Sequence, residues 1–202
     1  SAVGVIDVDN DNDIDIVSGA PLDFDESLYY LENKSLSFST RHPIEGFLHI
    51  YSLETGDLDG DGFDDIVVCV GDAAAIINGA MADCNCPEAV TMLDIAAFLG
   101  HEGGSAAATG AIADFNADGM LDILFTSYCC PNPDTPGAPP EITFFQNNTP
   151  PGGPITGTLV AAGNWDGDIA AFAVADVNRD GRMDMVAAAA GPDAAIFAVI
   201  NN

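Results

Sequence analysis

The stretch Asp57-Leu58-Asp59-Gly60-Asp61-Gly62-Phe63-Asp64-Asp65, running directly into Ile66-Val67-Val68, constrains the chain more than any other. Side-chain oxygens fall at loop positions 1, 3, 5 and 9, and a glycine stands at position 6. Closely spaced short carboxylates around a sharp turn are the donor set of Ca²⁺, a hard cation that takes six to eight oxygen ligands. The pattern recurs three times. Asp7, Asp9, Asp11 and Asp15 form one copy, Asp114, Asn116, Asp118 and Asp122 another, and Asp176, Asn178, Asp180 and Asp184 the last. With the first-named loop's Asp57, Asp59, Asp61 and Asp65, and with the position-7 carbonyls of Asp13, Phe63, Met120 and Arg182, each copy offers a ligand set for one ion, about four in all. Position 6 reads Asn12, Gly62, Gly119 and Gly181, the residues that best tolerate a left-handed turn.

The residues C-terminal to each loop decide its kind. An EF-hand loop runs into a helix and needs a bidentate Glu at position 12, whereas this chain has Ser18, Val68, Phe125 and Ala187 there. The residues after position 9, such as Ile16-Val17, Ile66-Val67-Val68 and Ile123-Leu124-Phe125, are short apolar runs that read as buried strands. Each loop is therefore expected to connect two strands of a hairpin. Loop starts at 7, 57, 114 and 176 lie 50, 57 and 62 residues apart, which points to a repeat architecture. Four-stranded units that bury their faces only against neighbours fit this spacing.

On these residues the chain resembles the FG-GAP/VCBS-type repeats of integrin α-subunit-like β-propellers. The resemblance rests on Asp-x-Asp/Asn-x-Asp-Asn/Gly-x-x-Asp followed by an apolar strand, and on Ser18-Gly19-Ala20-Pro21 after the first strand. The later repeats depart from that ending, with Val70-Gly71, Thr126-Ser127 and Ala190-Gly191. It implies an all-β, calcium-bound propeller, commonly extracellular, and it says little about a ligand.

About four blades are expected, at 1–46, 47–105, 106–168 and 169–202, the last lacking its outer strand. The first should use Ala2–Ile6, Ile14–Ser18, Leu28–Leu31 and Leu36–Thr40. The second uses His49–Leu53, Asp65–Val70, Ala73–Asn78 and a strand within Val90–Leu99, where helical spacing competes. The third uses Ala107–Ala113, Leu121–Tyr128, Ile142–Gln146 and Ile155–Val160, and the fourth Ala170–Ala175, Met183–Ala189 and Ala194–Ile200. Alanines on the first strands of the last two blades suit a crowded propeller axis. Pro131–Pro140 reads as an exposed loop, Asp23, Asp25 and Glu26 as a solvated acidic turn, and 164–168 as an inter-blade turn.

Thirty-two acids against four bases give a net charge of −28, and sixteen of the acids lie in the four loops. Surface solubility and a saline habitat both account for the remainder. Without a basic patch, nucleic acid and anionic membranes are excluded as partners. No run of 18 apolar residues would span a membrane. Cys69 reads as a buried small hydrophobe, whereas Cys84, Cys86, Cys129 and Cys130 favour a disulfide over a metal site, with the pairing open. His42, His49 and His101 lack a nucleophile or HExxH context, and the loops claim the paired carboxylates, so no enzyme is expected. The reading is a secreted or cell-surface calcium-binding propeller with a structural, adhesion or surface-recognition role. Its partner would be a protein or glycan of the cell surface or matrix, and further blades or chains would complete its assembly. The alternative is a lectin, or the propeller part of a secreted carbohydrate-active enzyme, with Trp165, Tyr29, Tyr30 and Tyr128 as candidate stacking residues.

Overall fold

Each acidic loop joins two antiparallel strands, and the apolar run after it becomes the second strand of a sheet. A computed structural model describes residues 2–20, 27–70, 73–80, 89–93, 105–129, 141–164, 168–190 and 195–201. Among them the chain is all β. β1 (Ala2–Ile6), β2 (Asp15–Gly19), β3 (Leu28–Glu32) and β4 (Thr40–Pro43) form the first sheet in that order. β5 (Ile50–Gly56), β6 (Asp65–Val70), β7 (Ala73–Ile77) and β8 (Val90–Leu93) form the second. The third holds β9 (Ser105–Ala113), β10 (Asp122–Cys129), β11 (Glu141–Asn147) and β12 (Gly157–Asn164). The fourth holds β13 (Asp168–Ala175), β14 (Asp184–Ala190) and β15 (Ile196–Val199). All pairings are antiparallel meanders, and the first strands pack in turn, β1 on β5, β5 on β9 and β9 on β13. The arrangement is propeller-like.

Three apolar cores fill the spaces between the four sheets. Ile66 and Val68 on β6 face the first sheet, whereas Val67 and Cys69 on the same strand face the third. A strand covered on both faces reads as an unbroken apolar run, and Asp65–Cys69 is buried at every residue. β2, with a neighbour on one side, alternates between buried and half-buried residues. Cys69 is buried and free, and burial pushes its thiol up to about 12, as a small hydrophobe requires.

Several expected boundaries move. The strand expected over Leu36–Thr40 begins only at Thr40, because Asn33 Oδ1 accepts the Leu36 N–H in a turn that holds Ser35 and Leu36 at positive φ. Ile155 lies outside its expected strand and fills the core between the second and third sheets. The expected start at His49 shifts to Ile50, since His49 itself has φ of 56°. Within Val90–Leu99 the structure describes a strand to Leu93, the rest lying outside the described residues. Ala171, Ala173 and Ala175 are not crowded at an axis; they are exposed on the outer face of the fourth sheet. The acidic turn at 23–26, the proline-rich segment, Trp165, His101 and three of the four paired-cysteine candidates (Cys84, Cys86, Cys130) fall outside the described residues, as does the Cys129 side chain.

Gly19, in the Ser-Gly-Ala-Pro stretch, has a packing role. A Cβ there would collide with Ile50 Cγ2 at the start of the next sheet, and Ile50 N–H donates to the Ala20 carbonyl at 3.1 Å. Gly110 also packs between sheets, but its added Cβ would meet nothing nearer than 3.7 Å. Urea denaturation should show Gly19→Ala losing about 1–3 kcal/mol by overpacking. Gly110→Ala should be neutral or stabilising by up to about 1 kcal/mol, because only the unfolded chain loses freedom.

Candidate metal centres in the four acidic loops

The loops lie between β1 and β2, β5 and β6, β9 and β10, and β13 and β14. All four share one backbone course. Position 6 takes positive φ at Asn12 (72°), Gly62 (95°), Gly119 (90°) and Gly181 (91°). Position 4 does the same at Asn10 (60°), Gly60 (70°), Ala117 (61°) and Arg179 (65°). The second left-handed residue escapes a sequence reading because alanine and arginine rarely adopt it. Here the loop's hydrogen bonds outweigh that preference.

Those bonds follow one scheme. The position-1 carboxylate accepts the position-5 and position-6 amides, as in Asp118 N–H to Asp114 Oδ1 at 3.2 Å and Gly119 N–H to Oδ2 at 2.9 Å. Asp7, Asp57 and Asp176 repeat it. Position 3 accepts the position-5 amide at Asp59, Asn116 and Asn178. Position 5 accepts the position-7 amide in every loop, at Asp11, Asp61, Asp118 and Asp180. A carboxylate has about four acceptor sites, so each retains capacity for a cation.

Position 9 does something more. Asp15, Asp65, Asp122 and Asp184 are buried, and each bridges two strands. One oxygen accepts the position-2 amide of its own loop: Val8, Leu58, Phe115 or Val177. The other accepts an amide at or just past the end of the third strand: Asn33, Gly79, Asn147 or Asn201. Asn33, Asn147 and Asn201 add a second tie, since each Nδ2 donates to the position-8 carbonyl of Ile14, Leu121 or Met183. The spacing of acids and turn residues does not single out these asparagines, although an apolar residue, a spacer and Asn recur in Leu31-Glu32-Asn33, Phe145-Gln146-Asn147 and Val199-Ile200-Asn201. In the second sheet Gly79 takes that place, because a Cβ would run into the Asp64 carbonyl, and Asn78 Nδ2 binds Asp59 Oδ2 instead.

Carboxylate oxygens of Asp7, Asp9 and Asp15 come within 4.8 Å of one another, as do those of Asp57, Asp59 and Asp61. Asn at position 3 replaces one acid in the third and fourth loops. In the first loop the oxygens Asp9 Oδ1, Asn10 Oδ1 and Asp13 Oδ1 are buried without a donor, which a bound cation would remedy. Desolvation first, and then the neighbouring carboxylates, hold Asp9 and Asp13 above the ordinary Asp value. Burial likewise raises Asp59 and Asp122, and pushes Asp65 up to about 6. The donor set and its unmet oxygens fit Ca²⁺.

The two classes of carboxylate separate experimentally. Asp122→Ala removes the acceptor of two buried amides and a candidate ligand, and should lower stability by about 2–4 kcal/mol in chelator and by more in calcium. Asp118→Ala, at an exposed ligand position, should lower the melting temperature in calcium and leave it nearly unchanged in chelator.

None of the curated proteins matches the chain. The profile of the FG-GAP-like repeat matches residues 7–68 and 114–187. Each match runs from position 1 of one acidic loop into the strand that follows the next loop, taking in two loops and the four strands between them. Four loops of one geometry, each opening into a strand of a separate antiparallel sheet, place the chain in the family of FG-GAP-like repeat proteins.

Proposed function

We propose that the chain is a calcium-stabilised, extracellular β-propeller unit with a structural or surface-recognition role and no catalytic centre. One observation carries the reading: four loops share one backbone course, with paired left-handed residues and a position-1 carboxylate that holds the turn in each. The Asp and Asn oxygens at positions 1, 3, 5 and 9 and the position-7 carbonyls of Asp13, Phe63, Met120 and Arg182 would hold about four Ca²⁺. Calcium at a few-fold to ten-fold above its Kd contributes on the order of 1 kcal/mol per site. It also relieves the mutual repulsion that, after desolvation, raises the carboxyls of Asp9, Asp13 and Asp59. The extracellular setting follows from the calcium such loops need and from the family's habit. A protein or glycan at a cell surface or matrix is the partner class that suits it.

The carbohydrate-binding alternative draws less support from the residues described. Tyr30 is buried in the first core and stacks on His42 with ring centroids 4.7 Å apart. The Arg41 guanidinium lies 3.8 Å over the Tyr29 ring, so a sugar would have to displace it.

Calorimetric titration tests the assignment: the protein should take up about four Ca²⁺, and Asp61→Ala and Asp118→Ala should each lose one. Unchanged stoichiometry in either variant would overturn it. Chelation should lower the melting temperature by several degrees, and Mg²⁺ should restore little of it, because Mg²⁺ demands compact octahedral sites and holds its waters. Equal rescue by both ions would point to charge screening alone.

A further inference from the structure

One side chain belongs to two of the acidic loops at once. Asn147, at the end of β11, is fully buried, and all of its side-chain polar atoms are engaged. It holds the third loop twice, its backbone N–H donating to Asp122 Oδ1 at 2.9 Å and its Nδ2 to the Leu121 carbonyl at 2.9 Å. The same Nδ2 donates across to the Leu58 carbonyl of the second loop at 2.6 Å. Its Oδ1 accepts the Thr149 N–H at 3.0 Å, at the root of the connection between β11 and β12. From that connection the Gly152 N–H reaches the Asp59 carbonyl, again in the second loop, at 2.7 Å.

Each of these contacts falls on or beside a candidate ligand. Leu58 stands between Asp57 and Asp59, and its own N–H donates to Asp65. Leu121 stands between Met120 and Asp122. The second loop has a neighbour on either side, and the link runs to the third. In the second sheet the place of Asn147 is taken by Gly79, which has no side chain, and Asn78 Nδ2 turns to Asp59 of its own loop. Asn201 repeats the link one sheet on, its Nδ2 donating to the carbonyls of Phe115 in the third loop and Met183 in the fourth. An empty loop crowds its carboxylates and holds residues such as Ala117 at positive φ, so it gains by opening. Opening the third loop shifts Leu121 and Asp122 and withdraws Asn147 from Leu58, whose buried carbonyl then lacks a donor. The second loop loosens with it. A cation in either loop favours the bridged arrangement and so prepares the other.

We propose that Asn147 couples calcium binding at the second and third loops, so that filling one tightens the other, while the first loop fills on its own. The inference rests on the calcium reading of the loops and adds a dependence between sites. Asn147 acts here as a positioning residue and touches no ion.

Calcium titration of the full chain followed by NMR tests it. Each loop is read through its position-6 amide, since Asn12, Gly62 and Gly119 donate there to Asp7, Asp57 and Asp114. Asp61→Ala disables the second loop. It should raise the calcium midpoint of the Gly119 amide by about five-fold or more, the lower end of ordinary coupling between sites, and leave that of Asn12 in place. By reciprocity, Asp118→Ala should raise the Gly62 midpoint by the same factor. Asn147→Gly copies the arrangement at Gly79 and keeps the backbone amide for Asp122. In that background Asp61→Ala should no longer move Gly119. An unmoved Gly119 midpoint, equal shifts at Gly119 and Asn12, or a Gly119 shift that survives Asn147→Gly overturns the proposal. Should Asn147→Gly lose its fold, the comparison of Gly119 with Asn12 in the Asp61→Ala chain still decides. Amides that never respond to calcium remove the functional reading itself, whereas amides that respond independently leave that reading intact and remove only the coupling.

Discussion

A buried aspartate at the end of each acidic loop holds the repeat together. Placing a carboxylate in an apolar interior is unfavourable unless its oxygens are hydrogen-bonded, and Asp15, Asp65, Asp122 and Asp184 each accept two amides from different segments. One comes from the loop and one from the end of the third strand or just beyond it, so a single side chain fixes where the loop closes and where the third strand ends. The rise of Asp65 to about 6 reflects the cost of keeping that group among apolar neighbours. A side chain of this kind serves as both strut and candidate ligand, since its oxygens keep acceptor sites after the amides are bound.

Stacking depends in turn on the faces that the strut aligns. With its first strand held beside the loop and its third strand tied back to it, each sheet presents one apolar face to its predecessor and another to its successor. Glycine at 19 lets the second sheet approach where any side chain would collide with Ile50, and the cross-sheet bonds of Asn147 and Asn201 set the register between neighbours. The acids gather in the loops, at the ends of the first strands, where calcium can neutralise them. The interfaces stay apolar. The separation lets one chain be both very acidic and well packed.

How much of this was legible in the residues differs by element. Loop positions, the hairpins they join and the four-unit division stood out because they rest on local chemistry: a carboxylate spacing, a turn-tolerant residue and an apolar run. Strands such as Ala2–Ile6 and Asp65–Val70 match their expected bounds for that reason. Boundaries set by side-chain-to-backbone bonds did not stand out. Leu36 looks like a strand residue until Asn33 captures its amide. Ile155 looks like a strand residue too, until the neighbouring sheet offers it a core.

By itself, the sequence determined that four acidic loops would each open into a strand, because ligand spacing and backbone tolerance act over nine residues. Only the tertiary structure decided that position 9 is a strut as well as a candidate ligand, since its partners lie up to 25 residues away on another strand. It also decided that the alanines of β13 face outward, a matter of which sheet has a neighbour. Periodicity tells that a strand has two apolar faces. What covers each face depends on contacts far along the chain.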